Sequence, residues 1–104
     1  MAPPDLSAHK NVHRVIAIVA PSPTDARAAR QRTLLDRDLK GCTERDLVVV
    51  TLPGETFTIL LVGKDGGEKK RWTAPVSVKE IFALIDAMPM RMAEMREKKR
   101  AGQQ

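Results

Sequence analysis

Two short apolar runs bracket a polar stretch that reads as a helix, and this arrangement leaves few folds open. Val15–Ala20 is continuous, rich in β-branched residues and followed by Pro21. Asp46–Leu52 carries Leu47-Val48-Val49-Val50. Runs of this length and composition read as buried strands rather than helices. Between them Ser22-Pro23-Thr24-Asp25 forms a helix start, with Ser22 as the cap and Pro23 at the first helical position. The helix is expected to run to about Lys40, with Gly41 as a left-handed stop. Helical spacing puts Ala28, Leu35 and Leu39 on one face and Arg27, Arg30 and Arg37 on another. Strand, helix and strand in this order predict a right-handed unit with parallel strands.

The second half adds two strands and a helix. Pro53-Gly54 turns the chain, and Phe57–Gly63 reads as a third strand. Asp65-Gly66 is a hairpin signal leading into Glu68–Thr73. Lys69, Lys70 and Arg71 place that fourth strand at a sheet edge. Its alternation puts Lys69 and Arg71 on one face and Lys70 and Trp72 on the other. Ser77 and Glu80 form a capping box, Val76 is placed to staple to Ile81, and Phe82 and Ile85 are expected to be buried against the sheet. Pro89 interrupts the helix. A further turn or two follows it, with Glu94 placed to pair Lys98 and residues 102–104 fraying.

The fold class is therefore α/β, a pared-down thioredoxin-like β-α-β-β-β-α with helices on a mixed four-stranded sheet. We expect a flexible N-terminus over 1–12, a single domain over 13–89, and a basic helical extension over 90–104.

Several blocks carry a family resemblance. They are Val15–Ala20 with Pro21, Gln31 with Leu34 and Leu35, Glu44–Val50, Leu61–Gly67, and Phe82 through Met88-Pro89-Met90-Arg91. Together, over roughly residues 13–100, they resemble a small bacterial domain family of unknown function. The same domain is similar to one in vertebrate sushi-repeat-containing extracellular proteins. The resemblance implies a thioredoxin- or peroxiredoxin-like fold and carries no established catalytic residues. Members of the family have a longer segment between the second and third strands. Here only Pro53-Gly54-Glu55-Thr56 remains. In a thioredoxin-like sheet these four residues cross the end of strand one, a span of about 10 Å. A direct hairpin between strands two and three is the rival topology.

The chemistry is sparse. Thioredoxin-like enzymes keep a reactive thiol at the N-terminus of the first helix. Here that place holds Ser22 to Asp25, and the single cysteine, Cys42, falls after the expected helix end, where the dipole disfavours a thiolate. One cysteine excludes an intramolecular disulfide. Gly63-Lys64-Asp65-Gly66-Gly67 lacks phosphate-loop spacing. His9 and His13 are four apart but lie in a Pro-rich terminus, a poor scaffold for a metal. No catalytic, cofactor or metal site is expected. A net charge of +5 makes anionic partners the remaining lead. Lys69, Arg71, Arg96, Lys98 and Lys99 are the candidate anion-binding residues, with Arg91 and Arg100 beside them. Aromatic residues at 3% argue against base stacking.

The leading expectation is a non-catalytic binding or scaffold domain. The alternatives are weak binding of a polyanion, a glycosaminoglycan or nucleic acid, and residual thiol-linked redox activity through Cys42. A protein partner or homodimer would use the edge strand or the Met-rich C-terminus. No run spans a membrane. The sequence as given shows no signal peptide and reads as cytoplasmic, or as secreted if it is a trimmed mature form.

Overall fold

The computed structural model describes residues 9–102. Of the flexible N-terminus expected over 1–12, residues 1–8 lie outside the described residues and 9–12 form a hydrogen-bonded turn; of the fraying expected over 102–104, residues 103–104 lie outside them. The chain order is β1 (Arg14–Ala20), α1 (Ala26–Asp36), α2 (Leu39–Glu44), β2 (Leu47–Pro53), β3 (Thr58–Val62), β4 (Glu68–Trp72), α3 (Val78–Asp86) and α4 (Pro89–Gly102).

The sheet order is β2-β1-β3-β4. β1 and β2 are parallel, while β3 runs antiparallel to both β1 and β4. The rival hairpin between β2 and β3 is therefore absent. The chain crosses the end of β1 within four residues, where Gly54 N–H donates to the Ala20 carbonyl at 3.1 Å. A Cβ on Gly54 would collide with Val19, so glycine permits this close crossing. The hairpin expected at Asp65-Gly66 forms with Gly66 in the left-handed region at φ 83°. Gly63 N–H donates to Gly67 at 2.9 Å, and Asp65 caps the turn through Gly67 N–H.

One face of the sheet carries the main core. Ile16, Ile18, Ile59 and Leu61 point into it and meet Leu35 of α1 and Ile81 and Ile85 of α3. Each such aliphatic side chain contributes about 1.5–3 kcal/mol on full burial. Gln31 is also buried here: its amide donates to the Val76 carbonyl at 3.0 Å and accepts from Val76 N–H at 2.7 Å. α1 is thereby fixed to the start of α3 through backbone groups that have no strand partner.

Several expectations are corrected. Asp25, not Ser22, caps α1. The first helix stops at Asp36, because the Asp38 carboxylate turns back to Gly41 N–H at 3.1 Å and starts a second helix. Gly41 lies inside α2, and the left-handed stop is Asp46 at φ 51°. Leu39 is exposed. β2 is an edge strand with half-buried valines, not a fully buried one. Phe82 is half-buried and packs on α2, under the Arg45 guanidinium at 4.1 Å. α4 is longer than the turn or two expected. Its Glu94 pairs with Arg14 and Lys64 rather than Lys98. No helix among the described residues is long and apolar enough to cross a membrane.

Candidate functional site

The ends of β1 and β2 meet the start of α1 at a small recess of about 270 Å³, walled by Ala20, Pro21, Pro23, Leu52 and Pro53. This is where a parallel α/β unit offers a helix N-terminus to a ligand. Here the chain caps that N-terminus itself. The Asp25 carboxylate accepts from Arg27 N–H at 2.8 Å and from the Arg27 guanidinium at 2.8 Å. The Arg27 guanidinium holds the Asp25 pKa down to about 2. A fixed carboxylate at this point repels anions and would raise the pKa of any thiol beside it.

Cys42 sits elsewhere, in α2, and is only 3% exposed. Burial pushes its thiol pKa up, Asp38 adds to the effect, and Arg45 only partly offsets it. A thiol that resists ionisation is a poor nucleophile.

The basic candidates divide between β4 and α4. Lys69 and Arg71 lie on β4, and each is held by a neighbouring carboxylate, Asp65 at 2.6 Å and Glu68 at 2.8 Å. Arg96, Lys98 and Lys99 are exposed on α4. Arg91, grouped with them by sequence, is 3% exposed and bonds Asp86 and the Glu44 carbonyl. Lys70 and Trp72 share the helix-covered face through their pairs Leu61 and Ile59. Trp72 donates its indole N–H to Glu80 at 2.6 Å, so Glu80 serves the tryptophan while Ser77 caps α3.

Arg91 belongs to a charged cluster that sequence reasoning missed. Arg14, 1% exposed, donates to both oxygens of Glu94 at 3.1 and 3.0 Å and to the Arg45 carbonyl at 2.8 Å. Lys64 bridges Glu94 and Asp46. Arg45 and Arg91 share Asp86. Burial alone would raise the pKa values of Glu94 and Asp86, but the cations around them outweigh it and hold both below the usual range. Every member has its counter-charge, and the cluster clamps α4 to the start of β1. No sequence signal marks Arg14, which reads simply as the residue before a strand.

The second face of the sheet has a different character. Val15, Ala17 and Val62 are buried there, with Val48, Val50, Leu52 and Leu60 packed round them. All of these residues lie on strands, and no helix among the described residues contributes to this cluster. From the edge strand β4, Arg71 and Glu68 border it, in register with Leu60 and Val62 and paired with each other at 2.8 Å. The exposed methionines, Met90 and Met92, are on α4, whereas Met88 packs into the main core.

Comparison with known proteins agrees with this architecture. A family model described as a domain of unknown function (DUF4174) matches residues 51–94, from the end of β2 into α4. No curated protein matches the chain. The reduced 2-Cys peroxiredoxin of Plasmodium vivax is similar in structure, with a TM-score of 0.66 at 14% identity over 89% of this chain and 72% of that one. Thioredoxin peroxidase I of Plasmodium yoelii gives a TM-score of 0.63 at 16% identity, over 89% of this chain and 79% of that one. At such identities the likeness concerns the fold alone: the chain has a mixed four-stranded, thioredoxin-like α/β fold.

Proposed function

We propose that the chain is a non-catalytic thioredoxin-like binding domain whose docking surface is the second face of its sheet, along the half-buried residues of β2 and β3. The observation that carries this reading is that face: an aliphatic patch across β2, β1 and β3, with Val48, Val50, Leu52 and Leu60 half-buried round a buried middle and no helix among the described residues contributing to it. A sheet of this class ordinarily carries helices on both faces. The four-residue crossing from β2 to β3 leaves no room for one here. The occupant is an amphipathic helix of a partner protein, with an apolar stripe and acidic flanks. Net charge selects it over a second copy: the chain carries +5, so two copies would bring like charge together.

Two features argue against thiol chemistry: the Asp25 carboxylate at the helix start and the buried, protonated Cys42. The finer resemblance, to the domain of sushi-repeat-containing extracellular proteins, supports an adhesion-like role over catalysis. We read residues 13–89 as the domain and 90–104 as its basic extension.

The test uses the full chain and a labelled 18-residue helical peptide with a leucine stripe and glutamate flanks. Anisotropy should show saturable binding, weakened at least tenfold by Leu60→Lys or Val50→Lys with the melting temperature retained. Equal binding by the variants, self-association in sedimentation, or tight heparin binding that the peptide does not displace would overturn the reading.

A further inference from the structure

The chain has two histidines, and the structure brings their rings together. His9 Nδ1 lies 3.2 Å from His13 Nδ1, with ring centroids 5.4 Å apart and the planes tilted by 60°. Sequence reasoning set this pair aside because a Pro-rich terminus is a poor scaffold. The local structure removes that objection. Val12 N–H and His13 N–H both donate to the His9 carbonyl, at 3.0 and 2.8 Å, and close the segment into a tight turn. Asn11, left-handed at φ 69°, donates its N–H to Lys64 in the β3–β4 turn. Arg14 N–H, one residue on, donates to the Asp46 carbonyl. The turn is thus tied to two separate loops of the folded domain, and both rings are half-buried against it.

We propose that His9 and His13 form a bidentate site for a borderline divalent transition-metal ion such as Zn(II), Ni(II) or Cu(II). Imidazole nitrogen suits these ions, and Cu(II) should bind most tightly of the three. The spacing fits. Two nitrogens each about 2.0–2.1 Å from a tetrahedral ion are about 3.3–3.4 Å apart. The ion would sit about 1.3 Å off the line joining the two Nδ1 atoms, so small rotations of the rings aim both lone pairs at it. Without metal, one ring must donate its proton to the other. Metal binding moves that proton, by exchange with solvent, from Nδ1 of the donor ring to its own Nε2, so that both rings ligate through Nδ1 and both carry an Nε2–H that donates outward.

Among the described residues no group of three His, Cys, Asp or Glu side chains is placed to hold a metal. Water or a donor from another molecule completes the coordination. The neighbouring Lys10 adds positive charge, although its methylenes lie along Gly66. Two ligands and this charge set the affinity in a moderate range, well short of a four-ligand structural site. The ion would fix the entry to β1.

The experiment uses the full chain with Zn(II) as probe and Mg(II) as control. Calorimetry should show one Zn(II) per chain, weakened at least tenfold in His9→Ala and in His13→Ala. Zn(II) should raise the melting temperature of the parent protein and leave that of either variant unchanged. Should a variant not fold, the imidazole NMR signals of the parent decide, because the chain has only these two rings. Both sets must shift together and saturate at one equivalent of Zn(II), and Mg(II) must move neither. Zn(II) affinity unchanged by either substitution, no shift at millimolar Zn(II), or a shift of one ring alone would overturn the site.

Discussion

Arg14 and Glu94 are eighty residues apart in the chain, and their pairing illustrates what a sequence hides. A charged residue before a strand and another in a basic helix each read as solvated. Only the packed structure shows that burying the Arg14 guanidinium requires the carboxylate opposite it. The same holds for Gln31, whose partner Val76 lies forty-five residues away. Both roles follow from the general cost of an unpaired buried polar group, yet neither has a local signature. Glu94→Gln should cost about 3 kcal/mol in urea unfolding, the range for breaking a buried pair by removing one partner. Gln31→Leu, which strands both the Val76 N–H and C=O, should cost about 2–4 kcal/mol by the same measurement. The cluster also sets a pH dependence. Glu94 and Asp86 have lowered pKa values in the folded state, so their stabilisation is present above the unfolded values of about 4.3 and 3.9. It is lost as pH falls through the lower folded values. Stability should therefore decline from about pH 5 downwards, and Glu94→Gln should flatten that decline.

Elements with local punctuation were readable, and those shaped by neighbours were not. The Asp65-Gly66 hairpin and the Ser77 cap are set by residues within a few positions of each other. The break between α1 and α2 depends on the Asp38 side chain choosing Gly41 N–H over solvent, which propensity alone does not foretell. Gly41 itself looked like a helix stop because glycine is the usual one. Its actual role is steric: a Cβ there would lie 2.5 Å from the Phe82 ring. Replacing glycine by alanine inside a helix normally stabilises by about 0.5–1 kcal/mol. Here the sign should reverse. Gly41→Ala should destabilise by about 1–3 kcal/mol, the range for overpacking. In a Phe82→Ala background the same substitution should cost less, with the Asp38 Oδ1 contact at 2.8 Å remaining, so a thermodynamic cycle of the four proteins checks the ring contact. Phe82→Ala alone should cost about 2–3 kcal/mol, towards the low end for a core aromatic because the ring is only half-buried.

The whole molecule was legible as far as fold class, and the reason is geometric. Four residues between β2 and β3 suffice to cross β1, and the sequence left the crossing and the hairpin both open. The close approach of Gly54 to Val19 belongs to the crossing. That no described helix joins the cluster on the second sheet face was not read from sequence, because β2 passed for a buried strand. Its valines are apolar on both faces, which in a doubly covered sheet means core and here marks a surface. The polyanion alternative narrows at this scale. With Arg91 buried and Lys69, Arg71 and Lys98 each beside a carboxylate, Arg96 and Lys99 remain of the candidate residues, so duplex DNA binding should show a log–log salt slope of about −2 at most. Titration at two salt concentrations checks that figure. Central to the account is that the second sheet face, not a thiol or a charge cluster, meets the partner. Amide NMR during titration of the acidic helical peptide tests this most directly. Shifts should concentrate on Ala17, Val48, Val50, Leu52 and Leu60 across β2, β1 and β3. Shifts confined to the β4 edge, to α4 or to the α1 start would contradict it.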